Sequence, residues 1–307
     1  MAQGRAGFHL PRCPGFPRLP AIPTMNSRPI LAFFVLCALP LSARADETLA
    51  KSLVLHASFD RGYGADFSKG DPVAYVRGSQ GLVPLPAGTE EVLIAAEAGK
   101  FGGALAFPKK GTTRLAYKGD GVLGYNDKDW SATVSLWLRL TPDEDLEPGY
   151  CDPIQIIGDD TKKGFIFLEW SKDHTPRYFR YAIRPRIELW DPEGVGWEVV
   201  PEEKRPMVQL KRTPFSRDTW THAVFTLERI NAGTGTAAGS LYLDGTLQGR
   251  IENFDLTFGW DPKAVMIVLG AAYVGHLDDL AVFNRVLTAD EVKRLHTLGG
   301  GAASLRP

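Results

Sequence analysis

From residue 52 onward, short runs of β-branched and aromatic residues alternate with polar ones and are separated by turn residues. SLVLHASF (52–59), GALAF (103–107), SATVSLWLRL (131–140), GFIFLEW (164–170), TWTHAVFTLERI (219–230), SLYLDGTLQGRI (240–251) and AVMIVLG (264–270) are strand candidates. KKGTT, TPDED, NAGTGTAAG and GWDPK punctuate them. Leu241-Tyr242-Leu243, then Asp244-Gly245, then Thr246-Leu247 predicts a hairpin, because Asp-Gly readily supplies the positive φ angles of a type I′ turn. No repeat at a fixed period and no low-complexity linker breaks the series, so one antiparallel β-sandwich domain is expected.

The pattern changes once, near the end. Thr288-Ala-Asp-Glu291 is a capping box: the Thr hydroxyl accepts from the amide of Glu291, and the Glu carboxylate accepts from the amide of Thr288. Leu287 and Val292 form a hydrophobic staple, Leu295 and Leu298 extend the apolar side, and Gly299-Gly300-Gly301 stops the helix. Nothing in this short helix is catalytic.

Residues 25–45, MNSRPILAFFVLCALPLSARA, have a basic start, an apolar run from Ile30 to Leu41 and a small-x-small ending at Ala43-Arg44-Ala45. The run is too short to span a bilayer, which takes roughly 20 residues. A leader over 1–45 is therefore expected, with Met25 as the start, a signal peptide at 25–45 and a secreted or periplasmic product without a membrane span. The leader holds five of the 35 basic residues and no acid, leaving 30 bases against 36 acids. That balance offers no electrostatic footprint for nucleic acid. Cys13 and Cys37 leave with the leader, so Cys151 alone remains and neither an intrachain disulfide nor a cysteine zinc site can form.

LVLHASFD, GKFGGALAF (99–107), TVSLWLRL (133–140), DTWTHAVFTL (218–227), GSLYLDGTL (239–247) and VGHLDDLAVFNRVLTADEVKRL (274–295) occur in this order. Together they resemble the laminin-G-like (LamG) jelly roll of the concanavalin A-like lectin/glucanase superfamily. The resemblance implies an all-β fold: an antiparallel two-sheet jelly-roll sandwich with a short C-terminal helix. The domain is expected over 46–300 with an enlarged insertion at 141–217, followed by a tail at 301–307. A fold does not fix an activity.

In such jelly rolls the first and last strands lie side by side, which brings Asp60 toward Asp278 and Asp279. Strict alternation puts Asp278 on the face of Leu280 and Val282, and Asp279 on that of Ala281 and Phe283. A carboxylate among apolar neighbours must be paired, hydrogen-bonded or metal-bound. Two readings stay open: acids that accept backbone amides and pin a loop, or a Ca²⁺ site built on Asp60, Asp278 and Asp279, as superfamily members often bind calcium. His56 and His276 are expected to flank each other on these strands, and His222 in its Trp-x-His context to be a satisfied structural residue.

Superfamily glucanases carry Glu-x-Asp-x-Glu on one strand; the nearest approach is ELWDPE (188–193), where Trp190 replaces the Asp and Pro192 breaks the strand. Alginate-lyase-like jelly rolls are echoed in IQII (154–157), RYFRYAI (177–183) and RPRIEL (184–189), but Ile157 stands where the histidine would act. A catalytic set is not assembled, so the chain is not read as an enzyme.

Over 177–190 the odd positions are apolar from Phe179 onward, which turns Tyr178, Arg180, Arg184, Arg186, Glu188 and Trp190 away from the core. Aromatic faces stack on sugar rings and guanidinium forks grip carboxylate or sulfate, a combination suited to an acidic polysaccharide. The alternative is a solvated face of snorkelling arginines. Trp130, Trp137 and Trp220 are expected to pack, and Trp197 and Trp260 to be exposed. The favoured function is an exported, non-catalytic module that binds extracellular polysaccharide or glycan. A structural or adhesive protein-binding domain is the alternative, and a divergent polysaccharide lyase the third.

Overall fold

The computed structural model describes residues 41–78, 81–85 and 89–307. The leader expected over 1–45 lies outside them except for its last five residues, which open the helix Leu41–Ser52. Among the described residues the mass is β, in two antiparallel sheets.

The first sheet has nine strands. Its main path runs Thr246–Ile251, Ala238–Leu243, Thr221–Ile230, Trp130–Arg139, Gly275–Phe283, Leu53–Ala57 and Phe67–Ser68, with Ala104–Phe107 and Leu93–Ala95 added beside Gly275–Phe283. The second has eight: Met207–Leu210, Phe179–Arg184, Phe165–Trp170, Cys151–Ile157, Met266–Ala271, Leu115–Lys118, Tyr75–Gly78 and Gly81–Pro84. The first strand does pair with the last, His56 lying opposite Ala281. The Asp244-Gly245 hairpin also forms, with φ of 49° and 74° at the two turn residues.

Alternation decides what each strand buries. Val134, Leu136 and Leu138, then Ala223, Phe225 and Leu227, face Ile166, Leu168 and Trp170 with Phe179, Tyr181 and Ile183 across the inter-sheet core. Each such side chain taken fully out of water contributes about 1.5–3 kcal/mol. Outside the first sheet a second cluster joins Leu53, Val224, Tyr242 and Phe283 to Leu49, to Val292 and Leu295 of the helix Ala289–His296, and to Leu298 just past its end. The chain stays packed beyond residue 300, where a tail is expected: Ala302 and Leu305 of the turn Gly301–Leu305 are buried in the same cluster.

Alternation fails at one place. Between Asp278 and Ala281 the last strand carries one residue more than its partner, and Asp279 takes a φ of +50°. This β-bulge lets Leu277, Leu280 and Val282 all join the inter-sheet core with both acids between them. The expectation that Asp278 shares a face with Leu280 and Val282 is therefore corrected. The stretch 141–217 also differs from a simple insertion. It supplies four neighbouring strands of the second sheet, and residues 185–206 fold over the outer face of that sheet with Trp190, Trp197 and Val200 packed on Phe167 and Ala182. Trp197 (8 % exposed) and Trp260 (4 %) are buried, against expectation, because the former seals this cover and the latter's Nε1 donates to the carbonyl of Gly164.

The capping box of Thr288 and Glu291 is present in both directions. Thr288→Ala removes one arm and should lower unfolding stability by about 1 kcal/mol. Urea denaturation of the two proteins checks this; an unchanged midpoint would mean that the helix entry is held by its staple alone.

Candidate functional site: a charged cluster on the outer sheet face

The three acids expected to hold calcium sit along the seam between the chain's ends. Asp60 Oδ1 accepts from the amide of Gly103 at 2.7 Å. Asp278 Oδ2 accepts from Phe101 at 3.0 Å, and its Oδ1 from Asp279 at 2.6 Å. Asp279 Oδ2 accepts from Ala302, while its Oδ1 meets His56 Nε2 at 2.7 Å. Every one of the three thus tethers main chain. Among the described residues no three His, Cys, Asp or Glu side chains converge as a metal-binding group. Burial pushes Asp278 up to about 7, against the pull of the Phe101 amide. His276 lies opposite Arg139 and Ala106 rather than beside His56, which corrects the expected histidine pair.

The residues expected to face a ligand divide at Pro185. The strand Phe179–Arg184 ends there and a helical turn, Ile187–Trp190, follows, so the even positions do not continue on one face. Arg180 is 1 % exposed and Trp190 8 %. Arg186 and Glu188 pair with each other at 3.2 Å on the surface. Tyr178 is half-buried and stacks on His174. Arg184 is half-buried too.

Strand register explains the arrangement. Glu169, Arg180 and Gln209 stand in one row across three adjacent strands, and Phe165 and Arg184 in another. Arg180 donates from Nη1 to Glu169 (3.1 Å) and Glu198 (2.9 Å) and from Nε to Gln209 (2.7 Å). Glu198 belongs to the 185–206 cover, where Arg205 and the Tyr150 hydroxyl also bind it. Arg180 is therefore the bolt that fastens the cover to the sheet. Arg184 is held differently: its guanidinium lies 4.6 Å from the ring centre of Trp190, 5.2 Å from those of Phe165 and Trp197, and 6.0 Å from that of Phe167. Its Nε is buried without a partner.

Asp152, on the neighbouring strand to Glu169, is buried, with Oδ2 accepting from Gln155 Nε2 at 2.6 Å and Oδ1 unpartnered. Burial raises both Asp152 and Glu169 far above the usual carboxylate range; the charges of Arg114 and Arg184 oppose this at Asp152, and Asp152 itself adds to it at Glu169. Burial likewise lowers Arg184. Asp152, Glu169 and Arg114 were not singled out by sequence reasoning, and Gln155 entered only as part of the IQII echo. A signal was present for Glu169, an acid inside the apolar strand FIFLEW. For Asp152 it was hidden by an irregularity that shifts the register between Leu168 and Trp170.

A search of curated proteins gave no significant match. Among solved structures, the chain resembles the receptor-binding domain of botulinum neurotoxin D (TM-score 0.52, 10 % identity, covering 81 % of this chain and 53 % of that one). It also resembles domain 4 of AbnA, an extracellular arabinanase from Geobacillus stearothermophilus, in complex with arabinotriose (TM-score 0.48, 17 % identity, 79 % and 97 %). A third similar structure is the binding domain of botulinum neurotoxin DC in complex with rat synaptotagmin II (TM-score 0.48, 13 % identity, 84 % and 52 %). The chain spans about half the length of the neurotoxin domains, and at these identities the likeness concerns the fold alone. The Laminin_G_3 family profile matches residues 118–293, more than half of the sequence, and with the two-sheet architecture this places the protein in the concanavalin A-like lectin/glucanases superfamily.

Proposed function

We propose that this protein is an exported, non-catalytic module that binds extracellular carbohydrate on the outer face of its second sheet. The observation that carries the reading is Arg184: a half-buried guanidinium, boxed by four aromatic rings, with no side-chain hydrogen bond or ion pair among the described residues. Guanidinium groups committed to structure are normally paired, as Arg180 is; one held rigid and left unpaired is preorganised for a ligand acceptor. Against catalysis, His56 and His222 are fully buried and spent on Asp279 and Ser135. Burial holds His222 down at about 3, so it stays neutral.

A protein-binding role draws on a different observation. Leu189, Val195 and Val199 are 36 %, 44 % and 67 % exposed on the 185–206 cover. A glycan array separates the two. Under the carbohydrate reading the protein retains a subset of glycans and Arg184→Gln loses them by at least about tenfold, the loss of one charged hydrogen-bond set. An array without signal, together with protein capture abolished by Val195→Asp and Val199→Asp, would replace carbohydrate by adhesion.

Arg180, by contrast, is assigned a structural role. Arg180→Met strands Glu169 and Glu198 and should cost about 3–5 kcal/mol in denaturant unfolding. A loss under about 1 kcal/mol would mean that the cover is not bolted there.

We infer further that Asp60, Asp278 and Asp279 act as main-chain acceptors rather than calcium ligands, since each carboxylate already accepts from a backbone amide. Melting in millimolar Ca²⁺ and in chelator should then coincide. A specific site at about 1,000 times its Kd would instead add about 4 kcal/mol.

A further inference from the structure

The buried carboxyl groups Asp152 and Glu169, which feel the charge of Arg184 through space, give this face a property beyond carbohydrate binding as such. Asp152 is 6 % exposed, and its Oδ1 has no hydrogen-bond partner. A buried polar atom in that condition needs an explanation. Arg114 and Arg184 both lie within electrostatic reach of it, and Glu169 faces it from the neighbouring strand. The other charges nearby are committed. Arg180 is divided between Glu169 and Glu198, Arg205 holds Glu198, and the Tyr150 hydroxyl donates to Glu198. Asp191 reaches Arg184 only through space, its carboxylate being taken by the amides of Val195 and Gly196. Arg114 and Arg184 are therefore the two cations near Asp152 that have neither a hydrogen bond nor an ion pair among the described residues, and Arg114 is exposed.

We propose that the ligand of this face is an acidic sugar, a uronate whose carboxylate is drawn to Arg184 and Arg114, and that the Asp152–Glu169 pair takes up one proton as it binds. The inference rests on the carbohydrate reading above. Its physical basis is competition for the same positive field. Arg114 and Arg184 now favour the ionised form of Asp152, and an anion brought to them cancels that support. Burial already disfavours charge on Asp152 and Glu169, so the proton has a place to go. No bond is made or broken; the proton comes from solvent and returns to it on release. By linkage, affinity falls as pH rises across the range in which the free pair ionises, by about tenfold per pH unit for one proton. A neutral sugar leaves the field in place and shows no such slope.

The test is titration calorimetry of the exported chain with trigalacturonate, trimannuronate, a sulfated chondroitin oligosaccharide and neutral mannotriose, at several values between about pH 5 and pH 9. The expected result is binding of at least one uronate, weakening about tenfold per unit toward alkaline pH, with enthalpies in buffers of different ionisation heat reporting about one proton taken up. Asp152→Asn, which imitates the protonated acid, should bind at high pH as the wild type does at low pH. Arg184→Gln should bind no uronate at any pH, and Arg184→Lys, which keeps the charge, should retain part of the affinity; near-UV circular dichroism verifies that each variant is folded. Uronate binding without a pH slope, or a slope that persists unchanged when Asp152→Asn and Glu169→Gln are combined, overturns the proton-linked site and leaves the carbohydrate reading standing. Preference for the sulfated oligosaccharide or for mannotriose overturns the uronate assignment in the same way. Absence of binding to every sugar here and on the array removes both.

Discussion

The seam between the chain's first and last strands is the constraint on which the rest of the molecule depends. Leu53–Ala57 pairs with Gly275–Phe283, and the last strand's own neighbour is Trp130–Arg139 at the centre of the sheet. A one-residue bulge there throws two carboxylates together inside a strand otherwise built for the core. Neither acid is wasted. One fixes the loop before Ala104–Phe107 through Phe101, and the other joins His56 of the first strand to the turn at Ala302. Removing either partner would leave a buried charge or amide unmatched, which costs more than the contact itself contributes. The seam therefore ties the C-terminal turn to the sheet through Asp279 and Ala302, alongside the apolar contacts of the helix and turn.

The second sheet solves an opposite problem. Its outer face would be an exposed apolar surface of Phe165, Phe167, Ala182 and Met207, and residues 185–206 cover it with two tryptophans. A cover made of one long excursion must be fastened, and Arg180 fastens it through Glu198. Once Trp190 and Trp197 are in place they also fix Arg184, because a guanidinium beside aromatic faces is both desolvated and attracted to them. The cover that completes the fold is thus also what gives the face its chemistry.

Much of the architecture was legible in the sequence because it depends on local patterns. The strand runs, the Asp-Gly hairpin and the Thr288 capping box each rest on a few adjacent residues. The family order of motifs supplied the pairing of the ends. What failed were inferences that carried a period too far. Period two was extended through the bulge at Asp279 and past Pro185, and in both places a backbone irregularity reassigned the faces. Exposure of Trp197 and Trp260 was inferred from glycine-rich surroundings, yet such loops fold back here and bury them. The cluster of Asp152, Glu169 and Arg184 was half visible: Arg184 by its alternation, the acids only once four strands are aligned.

Arg184 also bears on the proposal that this face binds a ligand. Burial works against its charge and against those of Asp152 and Glu169. An apolar residue in place of Arg184 would pack against the same four rings without that penalty, and a hydrophobic substitute for a buried charge is often neutral or stabilising. Arg180 is under no such suspicion, since its donors are matched to acceptors on three sides. A sequence shaped for stability alone has more reason to keep Arg180, matched on three sides, than Arg184, whose contacts are with aromatic rings. On the binding role proposed above, the acceptors for Arg184 come from outside the chain.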